Sequence, residues 1–431
     1  MPTPRLPTAF ATTAYSRATF DPALAQPGTG MDLDFRQAGA PEPGDWAEFA
    51  RQYNALPDEP MPSSLYVWGA GTFGLELVRR LNEAGTRVLA VVDRNPRFHA
   101  DGVAGLPCLP PDELLSRPPA AVALGMHNGS VADLATLVSR LQSSGFDTWL
   151  PQRLWRAAAH SGRRWPAAFW LDAPFWGQQD PQHALDEART VLECFADEAS
   201  ARVFWGELCA RALDKVSLRA APEARQYAPA SLPPWSQPVR LVDAGAYDGD
   251  TLRGFAQSGI KIEQSLCFEP DQANFEALQA ARSDGGAMMC WPLGLSDRTK
   301  SLRFHAGNGT ASRASEDGDT IIQCVALDET APHFPATLLK MDIEGAELDA
   351  LRGAEKLIAR SGCAMAISAY HTPDHLWKVP LLMHRQAPHH PLFLRAHAYG
   401  GFETVAYALP PEVAGHLRTA AAHGGGGHAI R

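Results

Sequence analysis

Apolar and polar positions in the first part of the chain alternate between two periods, one typical of strands and one typical of helices. The apolar runs SLYVWGAG and TRVLAVVDRNP predict strands, and TFGLELVRRLNEAG between them has the spacing of an amphipathic helix. AAVALGMHN predicts a further strand and VADLATLVSRLQSSG a further helix. Strands that alternate with helices pair in parallel, with helices layered on the sheet. We therefore predict a small α/β domain over residues 63–155.

The same alternation resumes at Val239. Five apolar runs predict strands, and two amphipathic runs predict helices between them: VRLVDAGA, SLCFEPD, AMMCWPLGL, TLLKMDIEG and CAMAISAY, with FEALQAARS and AELDALRGAEKLIARS. The pattern then changes, because PLFLRAHAY and FETVAYAL are separated only by Gly400 and Gly401, which predicts an antiparallel hairpin. A second α/β domain is therefore expected over residues 239–412.

The remaining segments lack this alternation. Residues 1–62 are expected to form a flexible leader that contains one short helix, DWAEFARQYNAL, and residues 413–431 a flexible, glycine-rich tail. Residues 156–238 have helical spacing without a nucleotide-binding loop, so they are interpreted as a helical connector.

Composition narrows the function classes. The 431 residues allow about three domains, and 38 basic against 48 acidic side chains give a net charge of −10. This balance gives no general attraction to nucleic acid or to an anionic membrane. The 7 cysteines are scattered, and no run approaches the ~18 uncharged apolar residues of a membrane span. We expect a cytoplasmic protein without a membrane span and without a nucleic-acid partner.

The first predicted domain contains a glycine loop between a strand and a helix. Gly69, Gly71 and Gly74 have the spacing of a dinucleotide fingerprint, and Asp93 ends the next strand, where it suits a ribose hydroxyl. This Rossmann-like pattern predicts a second nucleotide site for NAD or a related nucleotide. The alternative is that the glycines serve only the turn, and that the domain is structural or docks a partner.

A second glycine loop, DAGAYDGDT, has a different charge. Asp243 ends a strand, Gly245 and Gly249 follow, and Glu269 ends the next strand, where a carboxylate suits two ribose hydroxyls. Asp248 and Asp250 repel a pyrophosphate and favour a cationic ligand. The loop therefore points to S-adenosylmethionine, which carries a sulfonium, rather than to NAD.

These motifs, together with KMDIEGAELDALRGAEKLI and AISAYH, resemble the FkbM-type S-adenosylmethionine-dependent methyltransferases. The resemblance implies an α/β fold of the class I methyltransferase type, a seven-stranded sheet with an antiparallel last strand. A small Rossmann-like α/β domain and a helical connector would precede that sheet. The resemblance also implies cofactor contacts. The glycine loop would contact the methionine end, the tip of the second strand the ribose, and LGLSD the adenine. The implied residues are Asp243, Gly245, Ala246, Tyr247, Asp248, Gly249, Asp250, Thr251, Glu269, Pro270, Leu295 and Ser296.

Candidate catalytic residues follow the last parallel strands. Asp342 and Glu344 come directly after LLKM, at the strand end where open α/β sheets bind ligands, although Glu344 is equally placed to complement a helix dipole. His371 is the candidate general base for an alcohol acceptor, with a helix-capping histidine as the alternative. The crowded histidines from 371 to 397 match no metal-binding spacing, so no metal is predicted there. For Asp342 the sequence leaves three ligands open: the acceptor hydroxyl, the cofactor's amino group or a metal. Asn308 and Ser312 are further candidates for acceptor contact, with a plain hairpin loop as the alternative.

The leading hypothesis is an S-adenosylmethionine-dependent O-methyltransferase that acts on a hydroxyl of a sugar, glycan or related polar metabolite. One competing hypothesis is a nicotinamide oxidoreductase that uses the Gly69 loop, and it is disfavoured because no Tyr-x-x-x-Lys constellation accompanies that loop. Another is a non-catalytic nucleotide sensor or scaffold. The small-molecule or glycan acceptor and a homo-oligomeric state are expectations that the sequence does not define further.

Overall fold

The computed structural model describes residues 43–125, 131–163, 165, 176, 179–280, 286–305, 313–314, 318 and 320–414. Most of the predicted leader and tail, together with Asn308 and Ser312, lies outside the described residues. The described strands form sheets of five, four and seven strands. Across the described ranges, no helix combines the length and apolarity needed to cross a membrane.

The five-stranded sheet belongs to the first predicted α/β domain. Its strands lie in the order β3-β2-β1-β4-β5 and all pair in parallel, as the alternation predicts. The short strands β3 and β5 were not predicted, because two or three residues show no periodicity. In chain order the elements are α1 (Pro43–Asn54), β1 (Ser64–Trp68), α2 (Thr72–Glu83), β2 (Arg87–Val92), β3 (Cys108–Leu109), α3 (Pro111–Leu115), β4 (Ala121–Leu124), α4 (Val131–Ser143), β5 (Asp147–Trp149) and α5 (Pro151–His160).

Two helices occupy the predicted connector, α6 (Pro181–Cys194) and α7 (Glu198–Leu213). The leader helix α1 packs on α7, where the rings of Trp46 and Trp205 meet edge to face at 4.8 Å. Phe204, which is fully buried, shares one apolar core with residues of the seven-stranded sheet. Helices α1, α6 and α7 therefore pack as part of the second α/β unit.

The seven-stranded sheet has the order β15-β16-β14-β13-β6-β7-β8. Strand β16 runs antiparallel to both of its neighbours, and the other neighbouring strands pair in parallel, so the predicted fold class is confirmed. Its elements are β6 (Val239–Ala244), α8 (Asp250–Gln257), β7 (Ile262–Phe268), α9 (Gln272–Ala280), β8 (Ala287–Trp291), α10 (Leu327–Thr330), β13 (Leu338–Met341), α11 (Glu347–Arg352), α12 (Glu355–Ser361), β14 (Ala364–Ser368), α13 (His375–Gln386), β15 (Leu392–Ala396) and β16 (Thr404–Ala408).

A four-stranded sheet inserted between β8 and β13 was not predicted. Its order is β11-β10-β12-β9, with strands β9 (Gly294–Leu295), β10 (Lys300–His305), β11 (Arg313–Ala314) and β12 (Thr320–Val325). The prediction merged Gly294 and Leu295 with the preceding strand. In the structure Pro292 lies between β8 and β9, and Leu295 pairs in parallel with Val325 instead.

Candidate active site

The carboxyl ends of β6, β7, β13 and β14 meet at one edge of the seven-stranded sheet, because these four strands are parallel neighbours. Asp243 lies at the end of β6, and Glu269 directly follows β7. Asp342 directly follows β13, and His371 lies three residues beyond β14. The sheet order therefore brings together the strand-end residues that the sequence predicts for cofactor and acceptor binding.

The glycine loop after β6 packs directly against the end of β13. Gly245 has a φ of +70°, and a Cβ atom added there would lie 1.9 Å from the carbonyl oxygen of Asp342. Only glycine fits this position, since both the backbone conformation and the space exclude a side chain. Gly249, with a φ of +84°, precedes helix α8 at its N-terminal cap. The predicted cofactor loop and the predicted acceptor residue Asp342 thus belong to one site.

Glu269, which directly follows β7, holds this loop in place through hydrogen bonds. Its Oε2 accepts the backbone N–H of Tyr247 at 2.9 Å, and its Oε1 accepts that of Asp271 at 2.9 Å. The side chain is buried, and burial raises its pKa above the ordinary value for a glutamate. Glu269 therefore has a structural role that the sequence did not indicate, in addition to its predicted role at a ribose.

A buried ion pair lies beneath the loop. Lys340 Nζ is 2.9 Å from Asp243 Oδ1 and donates to the carbonyl oxygen of Gly245 at 2.6 Å. Burial by itself would lower the pKa of Lys340, but the nearby carboxylates of Asp243 and Asp342 raise it, so the ammonium stays charged. Sequence analysis missed Lys340; its only signal is a lysine within the apolar strand LLKM.

Asp342 is held by a residue far away in sequence. Tyr227 donates its hydroxyl to Asp342 Oδ2 at 2.7 Å, and its ring lies 5.3 Å from the Lys340 ammonium. Tyr227 is buried and has a φ of +65°, a conformation that costs a non-glycine residue about 1–3 kcal/mol. Sequence analysis did not single out Tyr227, because no local pattern connects it to β13.

His371 joins three of the acidic residues that follow β13. Its Nδ1 lies 2.7 Å from Glu347 Oε1, and its Nε2 lies 3.3 Å from Asp342 Oδ1 and 3.8 Å from Glu344 Oε1. Glu344 does not continue the strand, since its φ is +53°. The three sequence-predicted catalytic residues therefore lie together.

Glu347 is the buried centre of this arrangement. Its two oxygens accept the backbone N–H groups of Ile343 at 2.9 Å and Gly345 at 3.1 Å. His375 Nδ1 lies 3.2 Å from Glu347 Oε2. Glu347 is the first residue of α11. In the structure it fixes the loop after β13 and orients His371.

The charges on His371 and Glu347 stabilise each other. Burial alone would lower the pKa of His371, but Glu347, Glu344 and Asp342 outweigh it and raise the pKa to about 10. Burial opposes ionisation of Glu347, yet His371 and His375 hold its pKa well below the ordinary value. His371 is therefore an imidazolium at neutral pH and cannot accept a proton until it loses one.

A further carboxylate approaches from the hairpin. Tyr370 donates its hydroxyl to Glu403 Oε1 at 3.3 Å, and Gln226 also donates to Glu403. Burial, and then the charge of Asp342, raises the pKa of Glu403. The site as a whole is rich in negative charge and suits a cationic ligand.

The remaining predicted cofactor residues lie around the loop and on β9. Ala246 and Thr251 are buried, and Asp248 forms an ion pair with Arg253 at 2.7 Å. Leu295 and Ser296 are buried at the end of β9, where the N–H of Ser296 donates to the Val325 carbonyl at 2.9 Å. Pro270 directly follows Glu269.

The Gly69 loop lies on the other sheet. Asp93 accepts the N–H of Ala70 at 2.8 Å through Oδ2 and that of Asn95 at 2.8 Å through Oδ1. A Cβ atom on Gly74 would lie 1.9 Å from the Gly69 carbonyl oxygen, so this glycine is required for the turn. Gly71 has open space around its Cα and is not required by packing.

The sheet order and the strand-end site place residues 239–408 among α/β proteins of the class I methyltransferase type. Residues 243–400 match the family model described as the methyltransferase FkbM domain, which confirms the resemblance predicted from the motifs. The match covers the glycine loop, Glu269, Asp342 and His371.

A solved structure has a similar fold, the methyltransferase FkbM from Methylobacillus flagellatus KT. It is 20% identical in sequence with a TM-score of 0.66, and the match covers 84% of this chain and 98% of that chain. The likeness therefore extends well beyond residues 243–400, and at this identity it shows the fold alone. No curated protein matches the chain.

Proposed function

We propose that the protein is an S-adenosylmethionine-dependent methyltransferase that methylates a hydroxyl group of a sugar, glycan or related polar metabolite. One observation carries the proposal. Gly245 of the cofactor loop packs against the carbonyl of Asp342, with only 1.9 Å available for a Cβ atom, so the loop directly adjoins the candidate acceptor residues. Transfer of a group between two ligands requires their sites to adjoin in this way.

The residues present fit the cofactor. S-adenosylmethionine supplies an activated methyl group. Asp243 and Asp248 are already paired with Lys340 and Arg253, so the negative charge that would match the sulfonium comes from Asp250 and from Asp342 beside the loop. Glu269, at the tip of β7, would bind the ribose hydroxyls, and Leu295 and Ser296 would lie beside the adenine. The absence of a side chain at Gly245 lets the cofactor loop lie against the Asp342 carbonyl.

On the acceptor side, Asp342 would accept a hydrogen bond from the hydroxyl to be methylated, while Tyr227 holds the other carboxylate oxygen at 2.7 Å. Glu344, beside it, would bind a neighbouring polar group. His371 remains our candidate base, with one condition. Its pKa of about 10 means that another positive charge must enter the acidic site before Nε2 loses its proton near neutral pH.

The experiment is calorimetric titration of S-adenosylmethionine, and separately of NAD, into the full chain. We expect S-adenosylmethionine to bind the wild type and Asp93→Asn equally, and Glu269→Gln at least about tenfold more weakly, since a charged hydrogen bond contributes about 1.5–3 kcal/mol. The two variants are matched, because each neutralises a carboxylate that accepts an N–H from its own glycine loop.

Binding of NAD alone, lost in Asp93→Asn, would overturn the methyltransferase assignment and move the site to the Gly69 loop. For the first α/β domain we propose a positioning role for the acceptor or a protein partner. We place the reaction in the cytoplasm, a proposal supported by the seven cysteines, which are all free thiols.

A further inference from the structure

We infer that Asp342, Glu344 and His371 form a binding site for a divalent transition-metal cation, with Glu347 behind the histidine. The cation would occupy the acceptor side of the proposed methyltransferase site. With it bound, His371 Nε2 is a ligand and not a base, and the cation itself would lower the pKa of an acceptor hydroxyl. Metal binding does not depend on which cofactor the glycine loop binds. His371 Nε2 faces both Asp342 Oδ1 and Glu344 Oε1. Single ligand atoms of Asp342, Glu347 and His371 also lie within 4.8 Å of one another, so carboxylate and imidazole donors are clustered here.

The distances fit a coordination shell. His371 Nε2 and Asp342 Oδ1 are 3.3 Å apart, and a cation about 2.1–2.2 Å from both would subtend an angle of about 100°. That angle lies between the octahedral and the tetrahedral values. Glu344 would be the third protein ligand. Its Oε1 lies 3.8 Å from the same nitrogen, and its side chain is 30% exposed, so it would have to rotate toward the cation.

Two of these donor atoms are buried without a hydrogen bond. Asp342 Oδ1 and His371 Nε2 have no hydrogen-bond partner in the structure, although each atom is inaccessible to solvent. The His371 side chain is only 5% exposed. When His371 is protonated, these two atoms approach as an ion pair at 3.3 Å. A divalent cation between them would replace that proton and coordinate both atoms.

Glu347 supplies the support that metal-binding histidines usually have. It lies 2.7 Å from His371 Nδ1, so Nδ1 donates to it and Nε2 is left to face Asp342. The amides of Ile343 and Gly345 donate to Glu347 and hold it in place. A carboxylate that accepts from the non-ligating nitrogen fixes both the tautomer and the ring orientation.

The charge balance also favours a cation. Asp342, Glu344 and Glu347 surround one imidazole, and Glu403 adds a fourth carboxyl group. Lys340, the nearby ammonium, is already paired with Asp243. One imidazole nitrogen with carboxylate oxygens suits Mn²⁺, Co²⁺ or Zn²⁺ better than Mg²⁺ or Ca²⁺, which prefer oxygen ligands alone.

The test is titration of Mn²⁺ into the chelator-treated full chain. The paramagnetic resonance signal of free Mn²⁺ measures how much of the ion is bound. Mildly alkaline pH is used because protons then compete less for Nε2. We expect one bound ion per chain, with Asp342→Asn and His371→Gln each weakening binding at least about tenfold. Glu347→Gln should weaken it about 10–100-fold through ring orientation alone. Co²⁺ should give a visible absorption spectrum that His371→Gln changes.

The control is His183→Gln, a histidine on α6 whose side chain is 65% exposed, which should bind Mn²⁺ like the wild type. If the buried variants do not fold, Glu344→Gln, at a partly exposed position, should still weaken binding. Wild-type binding no tighter than millimolar, or equal binding by His371→Gln or Glu344→Gln, would overturn the metal site. S-adenosylmethionine titrated into the same samples reports separately on the proposed function.

Discussion

The five-stranded and seven-stranded sheets share one local arrangement and differ in what surrounds it. In the first sheet, Asp93 follows β2 and accepts the N–H of Ala70 in the glycine loop at 2.8 Å. In the second, Glu269 follows β7 and accepts the N–H of Tyr247 in the other glycine loop at 2.9 Å. An acidic residue after the second strand therefore stabilises the loop after the first strand in both sheets.

The neighbouring strand makes the difference. In the second sheet β13 places Lys340 and Asp342 beside the loop, and His371 and Glu347 follow. In the first sheet the neighbour β4 is followed by Gly125, whose Cβ, if added, would lie 2.8 Å from the Gly74 Cα. A glycine loop with an acidic partner is thus a feature of the fold, and the adjoining strand determines which chemistry the site can perform.

The largest effect is expected from the two glycines with the least space. Gly245→Ala and Gly74→Ala each place a Cβ atom 1.9 Å from a carbonyl oxygen, and each should lower the free energy of unfolding by about 3 kcal/mol or more. Only Gly245→Ala should abolish S-adenosylmethionine binding in calorimetry. Gly71→Ala, with nothing within 4 Å, is the control and should leave the thermal unfolding midpoint unchanged. Loss of cofactor binding in Gly74→Ala would show that the two loops are not independent.

A smaller effect is expected from Tyr227→Phe, which removes only the hydroxyl that holds Asp342. A hydrogen bond to a charged group contributes about 1.5–3 kcal/mol, so kcat should fall about 10–100-fold. The measurement is release of S-adenosylhomocysteine with a pool of sugar and glycan acceptors, while the Kd for S-adenosylmethionine stays within a few fold. Tyr66→Phe, in β1 of the first sheet, is the matched control. An equal loss in both variants would contradict a positioning role for Tyr227.

The smallest effects are expected on the free energy of unfolding, from one ion pair in each α/β unit. Asp197 accepts the Ser200 N–H at 2.8 Å at the start of α7 and lies 2.6 Å from Arg395 on β15. Burial opposes ionisation, but Arg395 and Ser200 outweigh it and lower the pKa of Asp197 below 3.8. A lowered folded-state pKa stabilises the protein above the unfolded value, and this contribution is lost as the pH falls through the folded value.

Asp197→Asn should therefore cost about 1–2 kcal/mol at neutral pH and progressively less in acid, measured by urea unfolding across that range. In the first unit, Glu59 pairs with Arg153 at 2.6 Å with both side chains about a quarter exposed. Glu59→Gln should cost less than about 1 kcal/mol, because Arg153 keeps a second carboxylate partner, Asp147, at 2.5 Å. A pH-independent cost for Asp197→Asn would show that the carboxylate charge does not stabilise α7.

Much of this site could be predicted because its residues directly follow strands. Asp243, Glu269, Asp342 and His371 each lie at or just beyond the end of an apolar run, and parallel pairing brings such ends to one edge. The residues that were missed lack this signal. Tyr227 is 115 positions from Asp342, and Lys340 lies 97 positions from Asp243, so neither contact leaves a local pattern.

The sequence by itself determined the two α/β units, the closing hairpin and the set of acidic strand ends, because periodicity and strand-end position are local properties. Only the tertiary structure decided how these groups act. It packed Gly245 against Asp342. It also placed Glu347 and His371 2.7 Å apart in a buried region, where each stabilises the charged form of the other. Side-chain ionisation and orientation depend on burial and on neighbours distant in sequence, which come together only when the sheet assembles.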